Sequence, residues 1–87
     1  MNLIRTDRFK RDFKDLPEHL QRRTEQALRF LVQDLRYPSL HTKRIRRTKH
    51  LWEARVTEDY RLVFRIKEDA YVLYGVGPHE ILDRISE

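Results

Sequence analysis

The sequence has 87 residues, no cysteine, and 19 Lys or Arg against 14 Asp or Glu, which gives a formal net charge of +5. This length predicts a single domain, residues 1–87, with a modest core, and the lack of cysteine excludes disulfides and thiolate metal sites. No apolar run approaches the roughly 20 residues of a membrane span and no signal peptide is visible, so we expect a cytoplasmic protein without membrane contact.

The first part of the chain predicts a short strand and two helices. Residues 1–5 favour a strand, and Thr6 or Asp7 can cap the helix that follows. A second helix begins at Pro17, because proline is tolerated in a first helical turn. We expect it to run up to Pro38, since proline forces the preceding residue out of helical geometry. The face of this helix that should be buried contains Leu20, Thr24, Ala27, Leu28, Leu31 and Leu35.

A basic segment follows at residues 43–50, with five Lys or Arg and no acidic residue. Such a segment is either a solvated loop or edge strand, where charge discourages aggregation, or a patch that binds phosphate. The net positive charge and the neighbouring hairpin favour the phosphate-binding interpretation. Its candidate ligands are Lys43, Arg44, Arg46, Arg47 and Lys49.

Residues 51–67 predict a hairpin of two strands joined by a polar turn, because apolar and polar side chains alternate along both strands. The apolar face contains Trp52, Ala54, Val56, Tyr60, Leu62, Phe64 and Ile66. The opposite face contains Glu53, Arg55, Arg61 and Arg65. We expect the apolar face to pack against the helices and the charged face to remain open.

Residues 70–76 are apolar on both faces and predict an interior strand, which Gly77 and Pro78 should end. The remaining residues can form a short terminal helix at most. Helices followed by strands, without βαβ alternation, predict an α+β fold. In it, two N-terminal helices form an αα-hairpin packed on one face of a mostly antiparallel, twisted β-sheet.

These elements and motifs together resemble the RelE/ParE toxin superfamily over essentially the whole chain. The most specific part is the pairing of Trp-Glu-Ala-Arg-Val (52–56) with Asp-Tyr-Arg-Leu-Val-Phe (59–64), supported by Val-Gly-Pro-His (76–79). The resemblance implies the toxin of a type II toxin–antitoxin pair, with a cognate antitoxin as partner. Many members cut messenger RNA in the ribosomal A site by metal-free attack of the 2′-hydroxyl, while a ParE-like branch poisons DNA gyrase.

RNA cleavage without a metal needs cations on the phosphate, a base and an acid. Arg61 is the first candidate for the phosphate, because a planar guanidinium can hold two phosphoryl oxygens, and the resemblance implies the same role. By resemblance, Arg55 is a second phosphate ligand. His79 is the candidate for proton transfer, since imidazole can serve as acid or base and some relatives have histidine there. Glu53 is an alternative base.

Other side chains complete the interpretation. We expect Arg65 and the basic segment to contact RNA, and His41 and His50 to be surface residues. The four histidines are scattered and no acidic pair has a suitable spacing, so we predict no metal and no cofactor. The C-terminal residues lack the arginine and tyrosine that some relatives use, so a gyrase inhibitor or an inactive antitoxin-binding protein is the alternative.

Overall fold

Short local signals determine where the helices begin in the computed structural model, which describes residues 1–87. Strand β1 (Asn2–Arg5) leads to Thr6, whose hydroxyl accepts a hydrogen bond from the Phe9 amide at 3.2 Å and caps helix α1 (Asp7–Lys14). Helix α2 (Glu18–Gln33) starts directly after Pro17. The predicted strand, cap and second helix start are confirmed.

The predicted end of α2 at Pro38 is wrong, because the helix stops at Gln33. The side chain of Asp34 accepts a hydrogen bond from the Arg36 amide at 2.8 Å, and its carbonyl accepts one from the Tyr37 amide at 2.9 Å. This local turn competes with the helix for the backbone. Pro38 instead begins a single turn of 3-10 helix, Pro38–Leu40.

The sheet has five strands in the order β1-β5-β4-β3-β2. The first strand pairs with β5 in parallel and all other pairs are antiparallel. The mostly antiparallel sheet and the α+β class are therefore confirmed. The remaining elements are β2 (Lys43–Arg44), β3 (Leu51–Arg55), β4 (Tyr60–Lys67), β5 (Ala70–Pro78) and a short helix α3 (Ile81–Arg84).

Strand β5 differs from its prediction in two ways. Gly77 and Pro78 do not end it, because they lie in extended backbone opposite Arg61 and Tyr60. A bulge also leaves Tyr74 without a partner, since Val63 lies opposite Gly75 and Phe64 lies opposite Leu73. The strand is apolar throughout because side chains on both of its faces are packed, with Leu73 and Val76 toward the helices and Tyr74 on the opposite face.

The main core lies between the helices and the sheet, as the alternation of the hairpin predicted. Its central side chains are fully buried: Phe9, Leu31, Ala54, Leu62, Phe64 and Leu73. Burial, with the charge of Asp34 adding to it, raises the pKa of the Tyr71 phenol in this core. None of the helices has the length and apolar composition needed to cross a bilayer.

The opposite face of the sheet is not open along its whole length, which corrects the prediction. A second, smaller core of Ile45, Leu51, Val63, Ile81 and Ile85 covers part of it. The C-terminal residues were predicted only as a short helix or tail. They supply Ile81 and Ile85 because burying two large apolar side chains is favourable for a domain this small.

Polar contacts attach the C-terminal segment to the basic segment. The Arg47 guanidinium donates to the carbonyls of Leu82 and Ile85, and the amides of Lys49 and His50 donate to the Glu87 carboxylate at 3.0 and 2.6 Å. The hydrogen bond from the Lys49 amide lowers the pKa of the Glu87 carboxyl from 4.5. Arg47 thus stabilises the fold in this structure.

Glu87→Gln is expected to lower the free energy of unfolding slightly at pH 6 and to have no effect at acidic pH. A carboxyl whose pKa is lower in the folded state stabilises that state above its unfolded pKa. The stabilisation is lost as pH falls through the folded value. Urea unfolding of both proteins between pH 6 and pH 3 measures the difference, and a difference that grows toward low pH would contradict the assignment.

Candidate active site

Two arginines lie side by side where the β3–β4 hairpin turns. Arg55 ends β3 and pairs in register with Arg61 near the start of β4. Like charges directly opposite each other destabilise a sheet. Arg55 is exposed and forms no ion pair or side-chain hydrogen bond. The pair therefore concentrates positive charge at one point, where an anion would be stabilised.

Arg61 is held much more firmly than a surface arginine. It is only 9% exposed, and its Nη1 donates to the carbonyls of Thr57, Glu58 and Tyr60 at 3.0, 2.8 and 3.1 Å. These bonds close the hairpin turn and leave Nη2 without a partner in the chain. The guanidinium is thus held in place through one amino group, while the other makes no hydrogen bond within the chain.

Glu53 faces Arg61 and not Arg55. Its Oε1 lies 3.8 Å from the Arg61 Nε, and its side chain is 12% exposed. A carboxylate at this distance attracts the guanidinium and orients it. The arrangement favours a positioning role for Glu53 over direct contact with a substrate hydroxyl.

Two histidines reach the same place from different parts of the chain. His79 follows β5, and its amide donates to the Asp59 carbonyl at 2.8 Å, which fixes the backbone beside the hairpin turn. His41 follows the 3-10 helix and lies in the left-handed region with φ of 46°. Both side chains are exposed, and both line one pocket together with Arg55 and Arg61.

We call this pocket the basic cleft. It has a volume of about 310 Å³, and no apolar side chain lines it. Its residues are His41, Lys43, Glu53, Arg55, Arg61 and His79. Of the predicted catalytic residues, all four come together here, and Lys43 is the member of the basic segment that joins them.

The other predicted RNA contacts lie outside the basic cleft. Arg44 stacks over the Trp52 ring at 5.7 Å, and Arg47 binds the C-terminal carbonyls. Arg65 lies four residues beyond Arg61, roughly 13 Å along the strand, and lines no pocket. Arg46 and Lys49 are exposed in the loop that follows β2. The side chains of the basic segment do not share one face, because only its first two residues belong to strand β2.

His41 was predicted to be a surface residue and is exposed, but its place in the basic cleft was not predicted. No periodic pattern places it, because its position depends on a 3-10 turn and one left-handed residue. The available signal was its place two residues before Lys43, just ahead of the basic segment.

A second pocket adjoins the basic cleft on the helix side, and we call it the α2 groove. It has a volume of about 630 Å³ and lies between α2, the 3-10 helix and the hairpin turn. Three residues, Arg55, Arg61 and His79, line both pockets. The remaining lining residues are Arg23, Gln26, Ala27, Phe30, Ser39, Leu40, Val56, Thr57, Glu58 and Asp59.

Comparison with known protein families gives a match over most of the chain. Residues 18–81 match the model of the ParE-like toxin domain. Among curated proteins, none matches the sequence.

Several solved structures share the fold. YafQ from E. coli strain BL21(DE3) is 15% identical, with a TM-score of 0.79 over 93% of this chain and 96% of that chain. The RelB–RelE antitoxin–toxin complex from Methanococcus jannaschii contains a chain that is 18% identical, with a TM-score of 0.74 over 95% and 99%. A chain of the toxin–antitoxin complex RelBE2 from Mycobacterium tuberculosis is 24% identical, with a TM-score of 0.72 over 90% and 96%.

Proposed function

This chain belongs to the ParE-like toxin domain family, within the RelE/ParE toxin superfamily, and on that premise we propose that it is a ribosome-dependent endoribonuclease. In this proposal it is the toxin of a type II toxin–antitoxin pair and cuts messenger RNA in the A site. The observation that carries the proposal is the basic cleft, where two arginines and two histidines meet without an apolar neighbour.

The two arginines are suited to bind the phosphate that is cut. Arg61 offers Nη2 from a guanidinium already fixed by the hairpin turn and by Glu53. Arg55 is exposed and unpaired, so it can approach a second phosphoryl oxygen. Cations fixed in advance stabilise the charge that develops on the phosphoryl oxygens in the transition state. Lys43 adds a third positive charge to the basic cleft.

The two histidines supply proton transfer on either side of that phosphate. One imidazole accepts the proton of the 2′-hydroxyl as its oxygen attacks phosphorus. The bond from phosphorus to the 5′-oxygen breaks, and the other imidazole donates a proton to that oxygen. The products are a 2′,3′-cyclic phosphate and a 5′-hydroxyl end, so the reaction balances without a further reactant.

Protein synthesis in a cell-free translation system tests the proposal. The purified wild-type protein is expected to stop synthesis of a reporter while leaving DNA gyrase supercoiling unchanged. Reporter synthesis that continues at a molar excess of the protein over ribosomes would overturn the proposal.

Gyrase inhibition is the second candidate, because the matching family model is that of the ParE-like toxin domain. The same purified protein is tested for supercoiling of relaxed plasmid by gyrase. Inhibition of supercoiling with an intact message would support this candidate. If neither translation nor supercoiling is affected, an inactive antitoxin-binding protein is favoured.

A cognate antitoxin is part of the proposal. RelE-fold chains in two of the similar structures are crystallised in antitoxin–toxin complexes. In this chain β1 is an edge strand, and the apolar side chains of Ile4 and Val32 are 50% and 40% exposed. A partner that binds the sheet and α2 would cover them. Copurification with the product of a neighbouring reading frame tests this part of the proposal.

A further inference from the structure

We propose that the α2 groove binds the nucleobase next to the cleaved phosphate and thereby influences which codons are cut. This inference rests on the proposed ribonuclease function and extends it to substrate preference. Arg55, Arg61 and His79 separate the α2 groove from the basic cleft and line both. A strand whose phosphate lies at these three residues therefore places one neighbouring nucleotide beside each pocket.

The two pockets differ in the chemistry that they offer. The basic cleft has no apolar lining, whereas Ala27, Phe30, Leu40 and Val56 line the α2 groove. A nucleobase has a flat apolar face that stacks on aromatic and apolar side chains. The α2 groove therefore suits a base, and the basic cleft suits the sugar-phosphate backbone.

The aromatic part of the α2 groove is held in a fixed orientation. The Phe30 ring stacks on Tyr37 with centroids 4.0 Å apart and planes 5° from parallel. Phe30 is half-buried, so one part of its surface remains accessible. Stacking surfaces that are ordered before binding cost little entropy when a ligand arrives.

Acidic side chains on the hairpin turn also favour a base over a phosphate. Glu58 and Asp59 are exposed and line the α2 groove, but neither lines the basic cleft. These two carboxylates offset much of the charge of the three arginines that line the groove, so a phosphate is attracted less to the groove than to the basic cleft, while an uncharged base is not affected. The charges thus direct the backbone toward Lys43 and the base toward α2.

Gln26 is the side chain best suited to distinguish one base from another. It is exposed on α2, lines the α2 groove and has no side-chain hydrogen bond within the chain. Its amide carries both a donor and an acceptor, as the edges of bases do. Nearby, Arg23 Nη2 lies 3.4 Å from the Val56 carbonyl and joins α2 to the opposite wall.

The wall formed by the hairpin turn is itself rigid. The Thr57 hydroxyl accepts hydrogen bonds from the Asp59 and Tyr60 amides, both at 3.2 Å. The Arg61 guanidinium binds the Thr57 and Glu58 carbonyls from the other side. The α2 groove is therefore formed without a ligand, as most small-molecule sites are.

Binding of uncleavable trinucleotides tests the inference apart from catalysis. The probes are four fully 2′-O-methylated trinucleotides that differ in one base. Each is titrated into wild type, Gln26→Ala and the control Gln33→Ala. The chemical shifts of the backbone amides are recorded by NMR. We expect shifts at Ala27, Phe30 and Val56 and an affinity for the preferred base about tenfold above the others. Gln26→Ala should remove that preference, whereas Gln33→Ala, on the same helix but outside the groove, should keep it.

The outcomes separate this inference from the proposed function. Shifts confined to Lys43, Arg55 and Arg61, or a base preference that Gln26→Ala leaves intact, would overturn the inference. If the wild type fails to cut messages but shows base-dependent chemical-shift changes on α2, the ribonuclease proposal is wrong and the base-binding site is supported. If messages are cut and Gln26→Ala leaves the distribution of cut codons unchanged, only the inference falls.

Discussion

Arg61→Lys is expected to slow message cleavage by a factor on the order of 100 to 1,000. The guanidinium of Arg61 serves two partners at once, since Nη1 binds three turn carbonyls while Nη2 stays free for a phosphate. A lysine ammonium keeps the charge but is a single point, so it cannot hold the turn and reach a phosphoryl oxygen in the same geometry. Single-turnover cleavage on programmed ribosomes measures the effect.

The control for this variant is Arg65→Lys, the same change on the same strand and face. Arg65 lies outside the basic cleft, so cleavage should remain within about threefold of wild type. Circular dichroism melting of both variants separates chemistry from folding, because loss of the turn contacts lowers stability by about 1 kcal/mol per hydrogen bond. If a folded Arg61→Lys protein cleaved messages at the wild-type rate, the assignment of Arg61 as a phosphate ligand would be wrong.

His79→Ala and His41→Ala are each expected to slow cleavage by roughly 100- to 10,000-fold, the usual contribution of a general acid or base. Both imidazoles line the basic cleft beside Arg61. Because they act in one transition state, the double variant should lose much less than the product of the single losses. His19→Ala is the control, since His19 is exposed on α2 outside the basic cleft.

A message that is modified at the cut site shows which of the two histidines is the general acid and which is the general base. When sulfur replaces the bridging 5′-oxygen at the cut site, the leaving group no longer needs a proton. The variant that lacks the general acid should then recover most of its rate, and the variant that lacks the base should not. If neither histidine variant slows cleavage, proton transfer in this chain does not depend on the basic cleft histidines, and Glu53 becomes the candidate base.

The sequence predicted the hairpin well because a half-buried antiparallel pair shows its two faces as a period of two. Trp52 and Phe64 face one way, and Arg55 and Arg61 face the other. The four predicted catalytic residues also meet at one end of the sheet. Their convergence follows from register, since the hairpin turn sets Arg55 opposite Arg61 and the end of β5 sets His79 beside Asp59.

Features that depend on non-local packing were not predictable in the same way. The end of α2 depends on a turn formed by Asp34. The bulge at Tyr74 is not marked by any repeating pattern in the sequence. The second core joins residues as distant as Ile45 and Ile85, so no local window contains its pattern. Arg47 appeared as one of several basic residues and became a structural contact only because the C-terminal carbonyls lie beside it.

Primer extension on one message, translated and untranslated, tests the central proposal most directly. With purified wild-type protein, we expect new 5′ ends within A-site codons of the translated message only, and their loss with Arg61→Lys. The untranslated message should stay intact at the same protein concentration. A translated message that remains uncut, with ribosomes confirmed on it, would contradict the assignment of this chain as a ribosome-dependent endoribonuclease.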